Sequence, residues 1–250
     1  MPEFDSWKSY EEFAASVTRK WRYAHTAEQQ TFLNAVLDSA SKRQEVVPSG
    51  AQLWRAQLGH GWRVIECEDG ETRKSLAPRR FKRMKPRPFQ ATEGRANPKG
   101  IPCLYTTAHR DPAIARNTAI AEIRPWVGAE VSLAALTTNR TLRIVNCSSA
   151  NPGYPFYLEE PSPAKRDEAN WQLIAQAFSQ PVTRNDFLAD YAPTQILAEV
   201  FRQAGFDGVA YHSALGRGHN LAIFDLNSAD VVDCWLFRVN SVSIVSEEVG

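Results

Sequence analysis

Residues 101–128 read IPCLYTTAHRDPAIARNTAIAEIRPWVG, and the fold class turns on them. The opening IPCLYTT is apolar and rich in residues that suit a pleated surface, so it predicts a strand. Asp111 offers a helix-capping oxygen and Pro112 a pre-set first turn, which predicts a helix to about Ile123 before Pro125 stops it. Near its end stands Glu122, among alanines and isoleucines. An unpaired carboxylate costs several kcal/mol to bury, so Glu122 is turned to solvent, paired with Arg116 or Arg124, or held for chemistry. At about 100° per residue, Ala115, Ala119 and Glu122 share one face while Ile120 and Ile123 point elsewhere. Small residues beside the carboxylate leave room for a ligand.

Outward from this unit the chain reads as many short strands broken by few helices. Strands are expected at AQLWRAQLG (51–59), WRVIECE (62–68), AEVSLAALT (129–137), TLRIVNCS (141–148), DGVAYHS (207–213), HNLAIFD (219–225) and DVVDCWLFRV (230–239). Helices are expected around ANWQLIAQAF (169–178) and over PTQILAEVFRQAG (193–205), the latter closed by a glycine. That order describes an α+β domain and not a doubly wound parallel sheet. Upstream, Phe13, Val17 and Trp21 recur every four residues over a helix from Ser9 to about Tyr23. TAEQ (26–29) is a capping-box signal ahead of Phe32, Leu33, Val36 and Leu37. VVPSGAQ (46–52) then breaks the pattern, so residues 1–50 are expected as a helical extension and 51–250 as the main domain.

The bulk numbers exclude several classes. A net charge of +1 with 23% charged residues leaves no global bias toward nucleic acid or lipid. Nothing approaches the roughly 18 apolar residues of a membrane span, and MPEFDSWKSYEEF is charged where a signal peptide is apolar. Cys67, Cys103, Cys147 and Cys234 have no metal or redox spacing, which fits a reducing cytoplasm, and the five histidines are dispersed, so no metal is expected. GRGHNL (216–221) lacks the third glycine of a dinucleotide fingerprint, and YHSAL is not a hydrolase nucleophile elbow.

Four further features bear on a site. Arg55, in LWRAQLG, either snorkels out of its strand or points into a polar pocket where its fork suits phosphate. GRANPKG (94–100) offers Arg95, Asn97 and Lys99 between glycines, as an anion-binding loop or a solvated basic turn. Tyr105 is a core residue or a stacking face. The basic run Arg79, Arg80, Lys82, Arg83, Lys85 and Arg87 is a solvated loop or a nucleic-acid patch; with few interleaved aromatics and a near-neutral chain, nucleic-acid binding is not expected.

In that order, LWRAQLG, GRANPKGIPCLYTTAHRDPAIARNTAIAEIRPWVGAEVSLA and PTQILAEVFRQAGFDGVAYHSALGRGHNLAIF resemble the RES domain family, named for an arginine, a glutamate and a serine. The three fall on Arg55, Glu122 and Ser213. The resemblance implies a compact fold similar to ADP-ribosyltransferases and an activity that consumes NAD, by phosphorolysis, hydrolysis or protein ADP-ribosylation. It also implies a toxin partnered by a small helix-turn-helix antitoxin of the Xre type. On this reading Glu122 stabilises the ribose cation. Arg55 and Arg95 bind the pyrophosphate or an incoming inorganic phosphate. Tyr105 stacks on the nicotinamide or its ribose, and Ser213 donates to a ribose hydroxyl or phosphate oxygen. Asn97 and Asn220 assist in binding. NAD is then substrate, and no metal is required.

Overall fold

The computed structural model describes residues 3–68, 70–149, 153–180, 188–243, 246 and 248. Its helices are α1 (Ser9–Arg19), α2 (Ala27–Ala40), α3 (Phe81–Met84), α4 (Pro112–Glu122), α5 (Pro163–Ser179) and α6 (Ala192–Gln203). Its strands are β1 (Gln44–Val47), β2 (Gln52–Leu58), β3 (Gly61–Glu66), β4 (Thr72–Ala77), β5 (Leu104–Ala108), β6 (Glu130–Thr138), β7 (Leu142–Asn146), β8 (Gly208–His212), β9 (His219–Ile223) and β10 (Ala229–Arg238). Eight strands form one sheet in the order β1-β7-β8-β9-β5-β2-β6-β10, and β3 pairs with β4 as a separate hairpin. Only β7 and β8 run parallel in it, and α5 and α6 lie in the crossover that joins them. The architecture is α+β.

Register explains where the site lies. Trp54 pairs with Thr107, Thr107 with Asn220, and Asn220 with Tyr211, so these four residues form one row across β2, β5, β9 and β8. Paired residues in a sheet point to the same side. On that side α4 covers β2 and β6, packing Ala115 and Ala119 on Trp54, Ala56, Leu133 and Ala135. At the other end α5 and α6 cover β7 and β8, burying Trp171, Ile174, Phe178 and Phe201 over Val145 and Val209. Between the two helical layers the middle of the row, Thr107 and Asn220, lines a cleft. The opposite side of the sheet is closed by Leu53, Leu104, Leu136, Ile144 and Ile223, with Met84 of the short α3 packed among them.

The first fifty residues belong to this body and are not an appendage. Phe13 of α1 and Phe32 and Val36 of α2 share the apolar cluster of α5 and α6, and β1 hydrogen-bonds along β7. The Pro48 to Gly50 break is the turn that leads β1 into β2, with Gly50 at φ +84°. Helices α5 and α6 carry more apolar surface than the sheet alone covers, and α1 and α2 bury the remainder. The capping box forms as expected: Gln29 N donates to Thr26 Oγ1 at 3.3 Å and Thr26 N donates to Gln29 Oε1 at 2.9 Å. Helix α1 stops at Arg19, a turn short of expectation, and Trp21 is exposed instead of continuing the Phe13 and Val17 face.

Candidate active site

This row is the floor of a cleft of about 440 Å³ bordered by Trp54, Arg55, Arg95, Tyr105, Glu122, Tyr211 and Asn220. A void of that size with a few convergent polar groups is the usual form of a small-ligand site. Helix α4 brings Glu122 to it. The Asp111 cap forms, with Ala113 N donating to Asp111 Oδ1 at 2.8 Å, and Pro112 opens the helix. The helix then ends with Glu122 itself, and Arg124 adopts φ +46° before Pro125.

Glu122 is neither solvated alone nor paired with Arg116 or Arg124. Ser213 Oγ donates to its Oε1 at 2.6 Å and Asn220 Nδ2 donates to the same oxygen at 2.7 Å. Among the described residues Oε2 makes no hydrogen bond. The carboxylate sits at the negative end of its own helix, which opposes it by about 0.3–1 kcal/mol. Hydrogen bonds to a charged group are worth about 1.5–3 kcal/mol each, so the two donors outweigh the dipole and fix one oxygen. The other oxygen remains to accept from a ligand.

Ser213 is itself held by a loop clamped onto α4. Leu215 N donates to Ser213 Oγ at 3.1 Å, and Gly218 N donates to Thr118 Oγ1 at 3.0 Å. A Cβ on Gly216 would lie 2.9 Å from the Thr118 Cα, so the loop needs glycine to come this close. The serine hydroxyl therefore donates to Glu122 in this structure.

Arg55 enters where the sheet parts. Strands β2 and β5 pair only at Trp54 and Thr107, and at Arg55 the ladder has lapsed. The guanidinium occupies this split, Nη1 donating to the Tyr105 carbonyl at 2.6 Å. Its Nε is buried without a hydrogen-bond partner among the described residues, and burial lowers the guanidinium below its ordinary pKa. A buried donor left unsatisfied costs about 1–3 kcal/mol.

The remaining expected residues divide. Arg95 borders the cleft, anchored by Nη1 to the Ala177 carbonyl at 2.7 Å and lying 5.3 Å from the centre of the Tyr191 ring. Asn220 stands on the floor, where it holds Glu122. Tyr105 presents its ring to the cleft, but its hydroxyl is used: it accepts from Ala96 N at 2.9 Å and donates to Asn97 Oδ1 at 2.8 Å. Asn97 is buried away from the cleft, its amide nitrogen within 3.1 Å of the carbonyls of Thr92, Pro98 and Ile101. It shapes the 92–101 loop and does not line this cleft. Ala115 offers no room either, because it is packed under Trp54, and Ala119 alone of the two borders the cleft.

Tyr211, Trp54 and Thr107 were not anticipated. Tyr211 leans on Phe178 with ring centres 5.7 Å apart, and its hydroxyl makes no hydrogen bond among the described residues. Burial, reinforced by the Glu122 charge, pushes its phenol well above the usual range, so it stays a donor. Trp54 is sandwiched between Trp235 and the Arg116 guanidinium, which fixes the wall opposite. The basic run at 79–87 is partly tied down. Arg79 Nη2 donates to the Leu58 carbonyl at 2.8 Å, Lys85 pairs with Asp230 at 3.0 Å, and Met84 is fully buried.

Among the described residues no group of three or more His, Cys, Asp or Glu is placed to hold a metal. No described helix is long and apolar enough to cross a membrane.

Fold and site together define an α+β protein with a carboxylate-centred cleft and an arginine set in a split of its sheet. Residues 60–237 match the family described as the RES domain, and the chain belongs to that family. The match takes in Glu122 and Ser213 and begins beyond Arg55, whose place in the site rests on its geometry. No curated protein matches the chain in sequence. Among solved structures the chain is similar to the toxin–antitoxin complex of M. tuberculosis MbcT-MbcA, at 11% identity over 81% of this chain and 92% of that one, with a TM-score of 0.42.

Proposed function

We propose that the protein degrades NAD by breaking the bond between nicotinamide and its ribose, with water or inorganic phosphate as acceptor. The observation that carries the reading is the state of Glu122, which lines the cleft: one carboxylate oxygen is gripped by Ser213 and Asn220, and the other has no partner among the described residues. Nicotinamide leaves as a neutral base from a cationic pyridinium and needs no general acid, so a single carboxylate suffices where most glycosidases use two. Glu122 Oε2 accepts from the ribose hydroxyls and stabilises the positive charge that develops at the anomeric carbon as the bond breaks. The bonding pair departs with nicotinamide, and the acceptor oxygen adds to that carbon. With water the product is ADP-ribose and a proton is released; with phosphate it is the 1-phosphate of ADP-ribose.

Arg55 supports an anionic partner in this scheme, since its buried Nε has no acceptor among the described residues. Arg95 supports the pyrophosphate, and the Tyr105 ring lines the nicotinamide side. The RES resemblance adds a toxin role and a small helix-turn-helix antitoxin of the Xre type as partner. Incubating the protein with NAD, with and without phosphate, and resolving the products tests the reading. Release of nicotinamide supports it, and the phosphate dependence names the acceptor. Label transferred from NAD to protein would assign an ADP-ribosyltransferase instead. No turnover by folded protein under any of these conditions overturns it.

A further inference from the structure

A second cleft, of about 520 Å³, adjoins the first and shares Arg95 and Gln180 with it. It lies between α1 and α5, with Tyr10, Tyr154 and Tyr191 among its walls and Leu173 and Pro193 as apolar surface. Arg95 forms the partition. Its Nη1 is fixed to the Ala177 carbonyl of α5 and its face lies against Tyr191, while its other N–H groups have no hydrogen-bond partner among the described residues. Burial raises the phenols of Tyr10, Tyr105 and Tyr211, and the Arg95 charge opposes it in all three. The guanidinium thus stands between the cleft that holds Tyr105 and Tyr211 and the one that holds Tyr10.

We infer that the second cleft binds the adenosine end of the dinucleotide, with the pyrophosphate lying across Arg95. This rests on the proposed NAD activity and extends it. A dinucleotide is two nucleosides joined by two phosphates, and the arrangement offers two cavities joined at one cation. A fixed guanidinium with free N–H groups suits bridging phosphate oxygens. The aromatic and apolar walls suit a purine, and the Asp190 carboxylate, also on this cleft, suits a ribose diol. Tyr10 and the neighbouring face of α1 precede residue 60, so this subsite uses residues outside the span that the RES family match covers. It also gives α1 a functional reason to be docked on α5.

The test uses the full chain and two substrates with the same scissile bond, NAD and nicotinamide mononucleotide, the second lacking the adenylate. Ala15→Trp places an indole in the second cleft from the exposed side of α1; Thr18→Trp does so one turn along and serves if the first variant fails to fold. The KM for NAD is expected to rise at least about tenfold with kcat held within about twofold, the pattern for lost uniform binding. Kinetics on the mononucleotide stay unchanged. Equal effects on both substrates, or none on NAD, overturn the inference. If the wild-type protein turns over neither substrate, ADP binding by calorimetry decides the subsite separately. Binding weakened about tenfold by Ala15→Trp supports it; no binding to the wild type overturns it.

Discussion

Removing the two groups that grip Glu122 gives the sharpest quantitative expectation. Ser213→Ala deletes the donor at 2.6 Å and Asn220→Ala the donor at 2.7 Å, both from Oε1. A hydrogen bond to a charged group is worth about 1.5–3 kcal/mol, and each 1.36 kcal/mol of barrier is about tenfold in rate. Each single variant is therefore expected to lower kcat for NAD cleavage about 10- to 100-fold. Because both donors hold one oxygen, either alone still restrains the carboxylate, and the double variant is expected to lose more than the product of the single losses. The assay is steady-state nicotinamide release, with folded state checked by circular dichroism. Single variants within twofold of wild type, beside an inactive Glu122→Gln, would refute the idea that these bonds set the carboxylate for catalysis.

Other expectations follow from the same geometry. Gly216→Ala sets a Cβ 2.9 Å from Thr118 Cα, so the loop carrying Ser213 must shift; activity should fall about tenfold at a stability cost of about 1–3 kcal/mol, read by kinetics and urea titration. Thr26→Ala removes half of the capping box and should cost about 1 kcal/mol in urea without changing kcat. His219 faces His212, His109 and Glu45, and burial chiefly, then the neighbouring histidines, lower its pKa below 6.5. The unfolded chain therefore binds this proton more readily. Stability should fall as pH drops through 6.5 toward the folded value and level off below it, and His219→Gln should flatten that slope. Matching pH slopes for the two proteins would count against the assignment.

What the sequence revealed and concealed follows from the range of the interactions. Helix α4 was legible because its signals are local: Asp111 caps it, Pro112 opens it and Pro125 follows its end. Glu122 stood out as a carboxylate in an apolar run. Its partners did not, because Ser213 and Asn220 lie 91 and 98 residues away, and only the β8 and β9 register carries them to it. The same register hid Trp54, Thr107 and Tyr211, each unremarkable in its own strand, until pairing set them in one row. The reading of Ala115 failed in the opposite sense, since a small residue leaves space only when no neighbour fills it, and Trp54 does. Strand β4 was missed because TRKSLA has no alternating apolar pattern and is a strand only through its pairing with β3. The Phe13 and Val17 face was read correctly and its length was not, because α1 ends in a Lys20 to Tyr23 turn with no cap signal to mark it.

In the proposed reaction the second oxygen of Glu122 serves the breaking of the nicotinamide–ribose bond. The most direct test of this role is nicotinamide release from NAD by wild type and by Glu122→Gln at matched folded concentration, since the amide keeps the side-chain shape and loses the charge. Turnover by the wild type and a loss of about 10²- to 10⁴-fold in the variant are expected. Equal nicotinamide release by the two proteins would contradict this role.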